Sequence, residues 1–306
     1  MHDHSHSHSH SHSHPHENNQ KKLWWVLLLT IGYMFAEIVG GIYSGSLALI
    51  ADAGHMAIDG ASIALSLFAT WVAKRPPTSA KTFGYHRAEI LAATVNGATL
   101  FALSLWICYE AWTRLHSEYE VKGTMMTVVA VGGLLVNLVC LKVLHGDHDH
   151  VNIKSVRLHI LTDLLGSIAA IGAGFLVWQW GWTKADPILS AVISILIIYG
   201  AWKLLSECFN ILLEGVPAGL SLDEIRQSIK NHENVEDLHD LHVWTVTSGV
   251  PSLSAHVVIK ETANSAQVLK ELENLLREKF KIEHVTLQLE PSQFHKHSDH
   301  CKLHHH

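Results

Sequence analysis

The chain is short of charge. Asp, Glu, Lys and Arg make up 16% of its 306 residues, against about 25% in an ordinary soluble domain. Mean hydropathy is positive, at +0.17, and together these values exclude a typical water-soluble globule and point to a membrane protein. No run of basic residues forms the stripe that a nucleic-acid surface requires, so nucleic acid is excluded as a partner. Cys108, Cys140, Cys208 and Cys301 show no C-x-x-C spacing. Three of them sit in or beside apolar runs, so no disulfide framework is expected. A His/Ser tract precedes the first apolar run and no small-residue cleavage site follows it, so no cleavable signal peptide is expected. Neither H-E-x-x-H nor G-x-S-x-G occurs, which argues against the enzyme chemistries those motifs serve.

What the chain has is histidine and long apolar runs. Many of the 26 histidines cluster at the two ends and in one loop. Residues 1–22 form a His-rich tail, too polar to pack a core. It reads either as a tag-like disordered tail or as a loose metal-collecting arm. Six apolar spans follow, each long enough to cross about 30 Å of hydrocarbon: Leu23–Tyr43, Ser46–Trp71, Tyr85–Trp112, Gly123–Leu144, Ile153–Trp178 and Ile188–Phe209. Trp24 and Trp25 open the first span, where indole rings favour the membrane interface. Glu37 and Asn137 lie inside spans and are expected to hydrogen-bond to neighbouring helices. Asp186 before Pro187 reads as the N-cap and first residue of the sixth helix.

The second span carries His55 and Asp59, and the fifth carries His159 and Asp163. Residues four apart share one face of a helix, with Cβ atoms roughly 5–6 Å apart. An aspartate at the bilayer centre costs about 2.5–3.5 kcal/mol. Two spans accepting that cost with the same pair suggest that the pairs face each other. Two imidazole nitrogens and two carboxylate oxygens suit a tetrahedral Zn²⁺. Six spans put both termini on one side, and the Lys/Arg bias (Lys21, Lys22, Lys74 and Arg75 against Arg114 and Lys184, for example) makes that side the cytoplasm. At 1.5 Å per residue, Asp59 then lies about 20 Å from the outer end of its helix and Asp163 about 15 Å from the inner end of its own. Both sit near the midplane. An empty site with two carboxylates in low dielectric holds protons, and Zn²⁺ binding releases them, so such a site exchanges metal for protons by its own chemistry. Asp52, one turn from His55, reads as a group that caps a water cavity, bonds a neighbouring helix or relays protons. His145, His148 and His150, between the fourth and fifth spans, are candidates for gathering zinc at the cytoplasmic mouth.

After residue 213 the pattern becomes that of a soluble α+β domain over residues 214–290. Ser221 with Glu224 three residues on is a capping box for a helix to Lys230. Leu238–Val246 and Ser252–Ile259 read as strands, Ser265–Phe280 as an amphipathic helix and His284–Glu290 as a third strand. The order αββαβ fits helices on one face of a small sheet. Residues 291–306 form a second His-rich tail.

The paired His-x-x-x-Asp motifs, the segment Ser46–His55 and the Asp186–Pro187 step resemble the cation diffusion facilitator family of transporters, from about Leu23 to Glu290. The resemblance implies a homodimer in the bacterial inner membrane that exports Zn²⁺ in exchange for H⁺. It also implies a metallochaperone-like cytoplasmic domain that binds zinc. His55, at a position some members fill with Asp, implies preference for zinc over cadmium. Arg87 matches a basic position that pairs with an acid beyond the sixth span, here Glu214, as an interlock between helix and domain. His239, His256 and Glu290 match cytoplasmic ligand positions, whereas Gln288 replaces a histidine. Lys81 and Tyr85 stand where some members bind a further metal between the second and third spans, which leaves His86 alone there.

Three rival readings are weaker on chemistry. An intramembrane metalloenzyme needs an open coordination position. A structural zinc or a zinc sensor would carry no flux. A channel would not close four ligands around its ion.

Overall fold

A computed structural model describes residues 15–143, 151–247 and 249–292, with side chains described from residue 25 and, after the gap, from residue 160. Six long helices come first: α1 (Pro15–Ser44), α2 (Leu47–Ala73), α3 (Arg87–His116), α4 (Gly123–Val143), α5 (Val151–Trp180) and α6 (Ala185–Leu212). All six are long and apolar enough to cross a membrane. Large apolar side chains such as Leu105, Trp106, Tyr109 and Trp112 of α3 stand exposed, as they do on a lipid-facing surface and not on a soluble helix. α1 starts eight residues before the expected span, because residues 15–22 continue the helix into polar sequence that a hydropathy reading does not register.

By contact density the chain divides into two units, residues 1–58 with 102–198 and residues 59–101 with 199–306. In the first unit, α4 packs against α1 and α5, and small residues set the spacing. A Cβ on Gly123 would stand 2.7 Å from both the Gly174 carbonyl oxygen and the Trp178 nitrogen, so the start of α4 and the end of α5 meet backbone to backbone. Gly123→Ala should therefore cost about 1–3 kcal/mol, read as a lower thermal midpoint of the purified protein in detergent. An unchanged midpoint would show that the two helices have room to part. Along the same pair, Asn137 Nδ2 donates to Ser167 Oγ across a long 3.5 Å, the inter-helix bond expected of that amide.

One end of this unit is tied by loops. Gly45, at φ +72°, sits where a Cβ would meet the Glu120 carbonyl oxygen at 2.9 Å, so only glycine fits. Its own carbonyl accepts from Arg114 Nη1 at 2.9 Å and from the Tyr119 hydroxyl. Burial pushes the Tyr119 phenol above its ordinary value, which keeps its proton available for that bond. Lys122 N donates to the Ser44 carbonyl at 2.8 Å, joining the segment before α4 to the last residue of α1.

The small domain follows α6 in the second unit: α7 (Leu222–Lys230), β1 (Val235–Thr247), β2 (Val250–Ile259), α8 (Ser265–Phe280) and β3 (His284–Pro291). The strands lie in the order β1-β2-β3, with β1–β2 antiparallel and β2–β3 parallel. The parallel pair needs a crossover, and α8 supplies it. Ser221 Oγ accepts from Glu224 N at 3.3 Å, and Asn264 Oδ1 accepts from Ala266 N at 3.1 Å and Gln267 N at 3.3 Å, so both helices begin on the side-chain caps that their sequences carry. α8 ends where Lys281 turns left-handed at φ 58°. Ile225 and Ile229 of α7, Leu253 and Val257 of β2, and Leu272 and Leu276 of α8 are fully buried and form one core. The observed order αββαβ is the one expected, and β1 reaches three residues further back than its alternating core suggested.

Candidate metal centres

α2 runs unbroken through His55 and Asp59, and α5 through His159 and Asp163. Each pair is thus one helical turn apart on one face of its own helix. The His159 side chain lies outside the described residues, as do His145, His148 and His150 and both terminal His tracts. What the first unit does bring together is two acids of different helices, Glu37 and Asp52. Glu37 of α1, 1% exposed, has the Tyr33 hydroxyl one turn back on its own helix and the Asp52 carboxyl of α2 as side-chain neighbours. Asp163 is close enough to act on it electrostatically. Tyr33 also donates to the Val129 carbonyl of α4 at 3.0 Å. Both Glu37 and Asp52 therefore engage a neighbouring helix. Their meeting was not legible from spacing, because the two belong to different helices.

The small domain shows a more complete cluster. Antiparallel pairing sets His239 of β1 opposite His256 of β2, and parallel pairing sets His256 opposite Gln288 of β3. Glu290 stands two residues along β3, on the same face as Gln288. One ligand atom from each of His239, His256 and Glu290 lies within 4.8 Å of the others. His256 Nδ1 is 2.8 Å from Glu290 Oε1, His239 Nε2 is 3.5 Å from Glu290 Oε2, and the imidazole centroids are 5.2 Å apart. Gln288 Nε2 donates to Glu290 Oε1 at 2.8 Å. The residue that replaces a histidine thus orients the carboxylate. Two imidazoles and one carboxylate converging this way suit a zinc ion with a fourth position left over.

β1 bulges between His239 and His242, where Asp240 takes φ 53°. That left-handed backbone is tolerated by Asp more readily than by most residues. It lets Asp240 Oδ1 sit 3.1 Å from His242 Nε2. Sequence alternation does not reveal this bulge, because it adds residues without breaking the apolar run on either side.

Arg87 and Glu214, the residues of the expected interlock, form an ion pair: Arg87 Nη2 lies 2.9 Å from Glu214 Oε1. With the two side chains 39% and 63% exposed, the pair is worth about 0–1 kcal/mol. Glu214→Ala should barely shift the unfolding midpoint in denaturant, and a loss well above 1 kcal/mol would contradict the exposed geometry. The same region holds further contacts that spacing did not predict. Thr247 Oγ1 of β1 donates to the His86 carbonyl at 3.4 Å, and Phe83 packs edge-on against His284 at 5.9 Å. Lys81 lies over the Tyr85 ring at 5.2 Å. The two positions that some transporters use as loop ligands are therefore engaged with each other.

Comparison with known proteins agrees over nearly the whole chain. The family profile described as the cation efflux transmembrane domain matches residues 23–213. The profile described as the cytoplasmic domain of cation efflux proteins matches residues 217–292. The metal cation efflux system protein CzcD of Cupriavidus metallidurans is 42% identical over 274 residues, covering 89% of this chain and 87% of that protein. The zinc transporter ZitB of Escherichia coli is 39% identical over 277 residues, covering 90% and 88%. The cadmium, cobalt and zinc/H(+)-K(+) antiporter of Bacillus subtilis is 37% identical over 287 residues, covering 92% of each. Among solved structures, the metal-bound C-terminal domain of the CzcD transporter is 43% identical. It covers 23% of this chain and 99% of that one, with a TM-score of 0.23. Six helices long and apolar enough to cross a membrane, the two family profiles and relatives 37–42% identical over most of the chain place it in the cation efflux family, the cation diffusion facilitators, as a multi-pass membrane transporter of metal cations and not an enzyme.

Proposed function

We propose that this transporter exports Zn²⁺ from the cytoplasm in exchange for protons, through a tetrahedral site formed by His55, Asp59, His159 and Asp163. The reading is carried by the repeated His-x-x-x-Asp pair on two unbroken membrane helices. Its ligand set, two nitrogens and two carboxylates, matches zinc and balances the ion's charge. Relatives described as zinc transporters and as a zinc/H(+)-K(+) antiporter support the same cargo and the same kind of exchange. Metal and protons compete for the same oxygens, because a ligand must give up its proton to bind the ion. Zinc entering from one side releases protons, and protons entering from the other displace zinc.

His239, His256 and Glu290 are the residues that would hold a second zinc, in the cytoplasmic domain, where the ion would tie β1, β2 and β3 together. The donor set fits: two imidazoles and a buried carboxylate already converge. Arg87 and Glu214 link the start of α3 to the segment leading into that domain. The chain functions as a homodimer in the inner membrane with both termini in the cytoplasm. The Lys/Arg bias of the loops supports that orientation, and the cytoplasmic-domain match supports the side. The test is zinc flux in proteoliposomes. Flux should rise when protons are more concentrated on the side that receives zinc and should fall when that gradient is reversed. Flux indifferent to the pH gradient would end the exchange reading, and no flux would end the transport reading.

A further inference from the structure

Asp186 does not cap its own helix. α6 begins at Ala185, one residue before it, so the expected N-cap role at the start of α6 is corrected. The carboxylate turns away and caps α2 instead. Ser46 Oγ donates to Asp186 Oδ1 at 2.6 Å, Leu47 N donates to Oδ2 at 2.7 Å, and Ala48 N donates to Oδ1 at 3.1 Å. Ser46 Oγ in turn accepts from Leu49 N at 3.3 Å. A helix leaves its first N–H groups without internal partners. Here the first two are satisfied by a residue of another helix and the third by Ser46.

The arrangement is buried throughout: Ser46, Leu47 and Asp186 are all 0% exposed. Three donors, the positive end of α2 and the nearby Arg114 guanidinium supply what a buried carboxylate needs. Arg114 also holds the Gly45 carbonyl one residue before the cap. α2 therefore cannot slide along or rotate against α6 at this end without stripping a buried carboxylate of its partners. His55 lies eight residues beyond Leu47 on the same unbroken helix, about 12 Å along its axis. Asp186 touches no metal ligand at that distance.

We infer that Asp186 is a positioning residue for transport: by capping α2 from α6, it joins the two helices at this end into one body and sets the height and rotation at which His55 is presented. The inference rests on the proposal that His55 is a zinc ligand. A cap acting only on helix stability could be replaced by a cap within α2 itself, whereas a tie between two helices could not. That difference defines the experiment.

Purified full-length protein carrying Asp186→Ala, Ser46→Asp with Asp186→Ala, or His55→Ala is compared with wild type in proteoliposomes for zinc flux and in detergent for bound zinc. D186A should lower maximal flux at least about tenfold, because small misplacements of a reacting group are costly. Its apparent KM for zinc should move less than about threefold, since the ligands remain. Bound zinc should stay at the wild-type level in D186A and fall in H55A. S46D/D186A restores an N-cap within α2 but not the bond to α6, so its thermal midpoint should recover while its flux stays low. Wild-type flux in D186A, or recovery of flux in S46D/D186A, overturns the inference. Normal flux and normal bound zinc in H55A overturn the ligand proposal beneath it, a separate outcome. If D186A does not accumulate in membranes, Ser46→Ala, which keeps two of the three bonds, carries the test: flux of about half wild type or less supports the tie, and full flux overturns it.

Discussion

His55→Ala is expected to end zinc transport, with a loss of at least about 100-fold, beyond the 10–100-fold typical of residues that only support metal ligands. The argument is one of charge and of coordination. In the proposed site, four ligands shared by two helices leave none to spare, and removing one imidazole would leave an ion with three protein contacts in a region where water is scarce. Asp163→Asn should do the same by a different route. It keeps the size of the side chain but removes one of the two charges that would neutralise the metal in the proposed site, so the loaded site would carry net positive charge in low dielectric. Both variants should reach the membrane and unfold at close to the wild-type temperature, because neither removes apolar packing. Inverted vesicles loaded by an imposed pH gradient report the outcome. Zinc uptake at the wild-type rate by either variant would falsify the four-ligand site, and loss of uptake with loss of folded protein would indict packing instead.

Glu290→Ala is expected to abolish zinc binding at the proposed cytoplasmic cluster and leave the domain folded. Glu290 is the one carboxylate among the three converging groups, and both imidazoles hydrogen-bond or pair with it. Without it two neutral nitrogens face a doubly charged ion, and affinity should fall at least about 100-fold. Competition of the full-length protein with a chelator should then count one zinc fewer per protomer. The fold should survive, since the core of Ile225, Ile229, Leu253, Leu272 and Leu276 is built from burial and does not need the ion. Far-ultraviolet circular dichroism that collapses on chelation, in wild type or variant, would contradict that. Gln288→His should act in the opposite sense. The register sets position 288 opposite His256, so a third imidazole there would fill the position left over and tighten binding roughly tenfold. Unchanged affinity in both Glu290→Ala and Gln288→His would show that the cluster is a polar face of the sheet and not a metal centre.

Much of the architecture is legible in the sequence. The six spans declare themselves by length and by the absence of charge. The αββαβ order declares itself by a switch from long apolar runs to periods of two and 3.6 residues. Ser221 capped its helix as the S-x-x-E pattern announces, and Asn137 met a neighbouring helix. Helix ends are less legible. Polar residues 15–22 extend α1, and Ala185 opens α6, because backbone hydrogen bonds carry on past the point where apolar sequence stops.

Local pattern, then, determined the elements, the family resemblance and the candidate ligands, since apolar length, the i,i+4 pairing of His55 with Asp59 and of His159 with Asp163, and strand alternation all depend on near neighbours. Only the packed chain decided where Asp186 spends its carboxylate, that Glu37 and Asp52 meet, and that His239, His256 and Glu290 share one face of the sheet. Those arrangements join residues far apart in the chain, Ser46 and Asp186 being 140 positions apart. A side chain's partner is chosen by what close packing brings within about 3 Å of it, and a buried polar group must find such a partner wherever the fold supplies one.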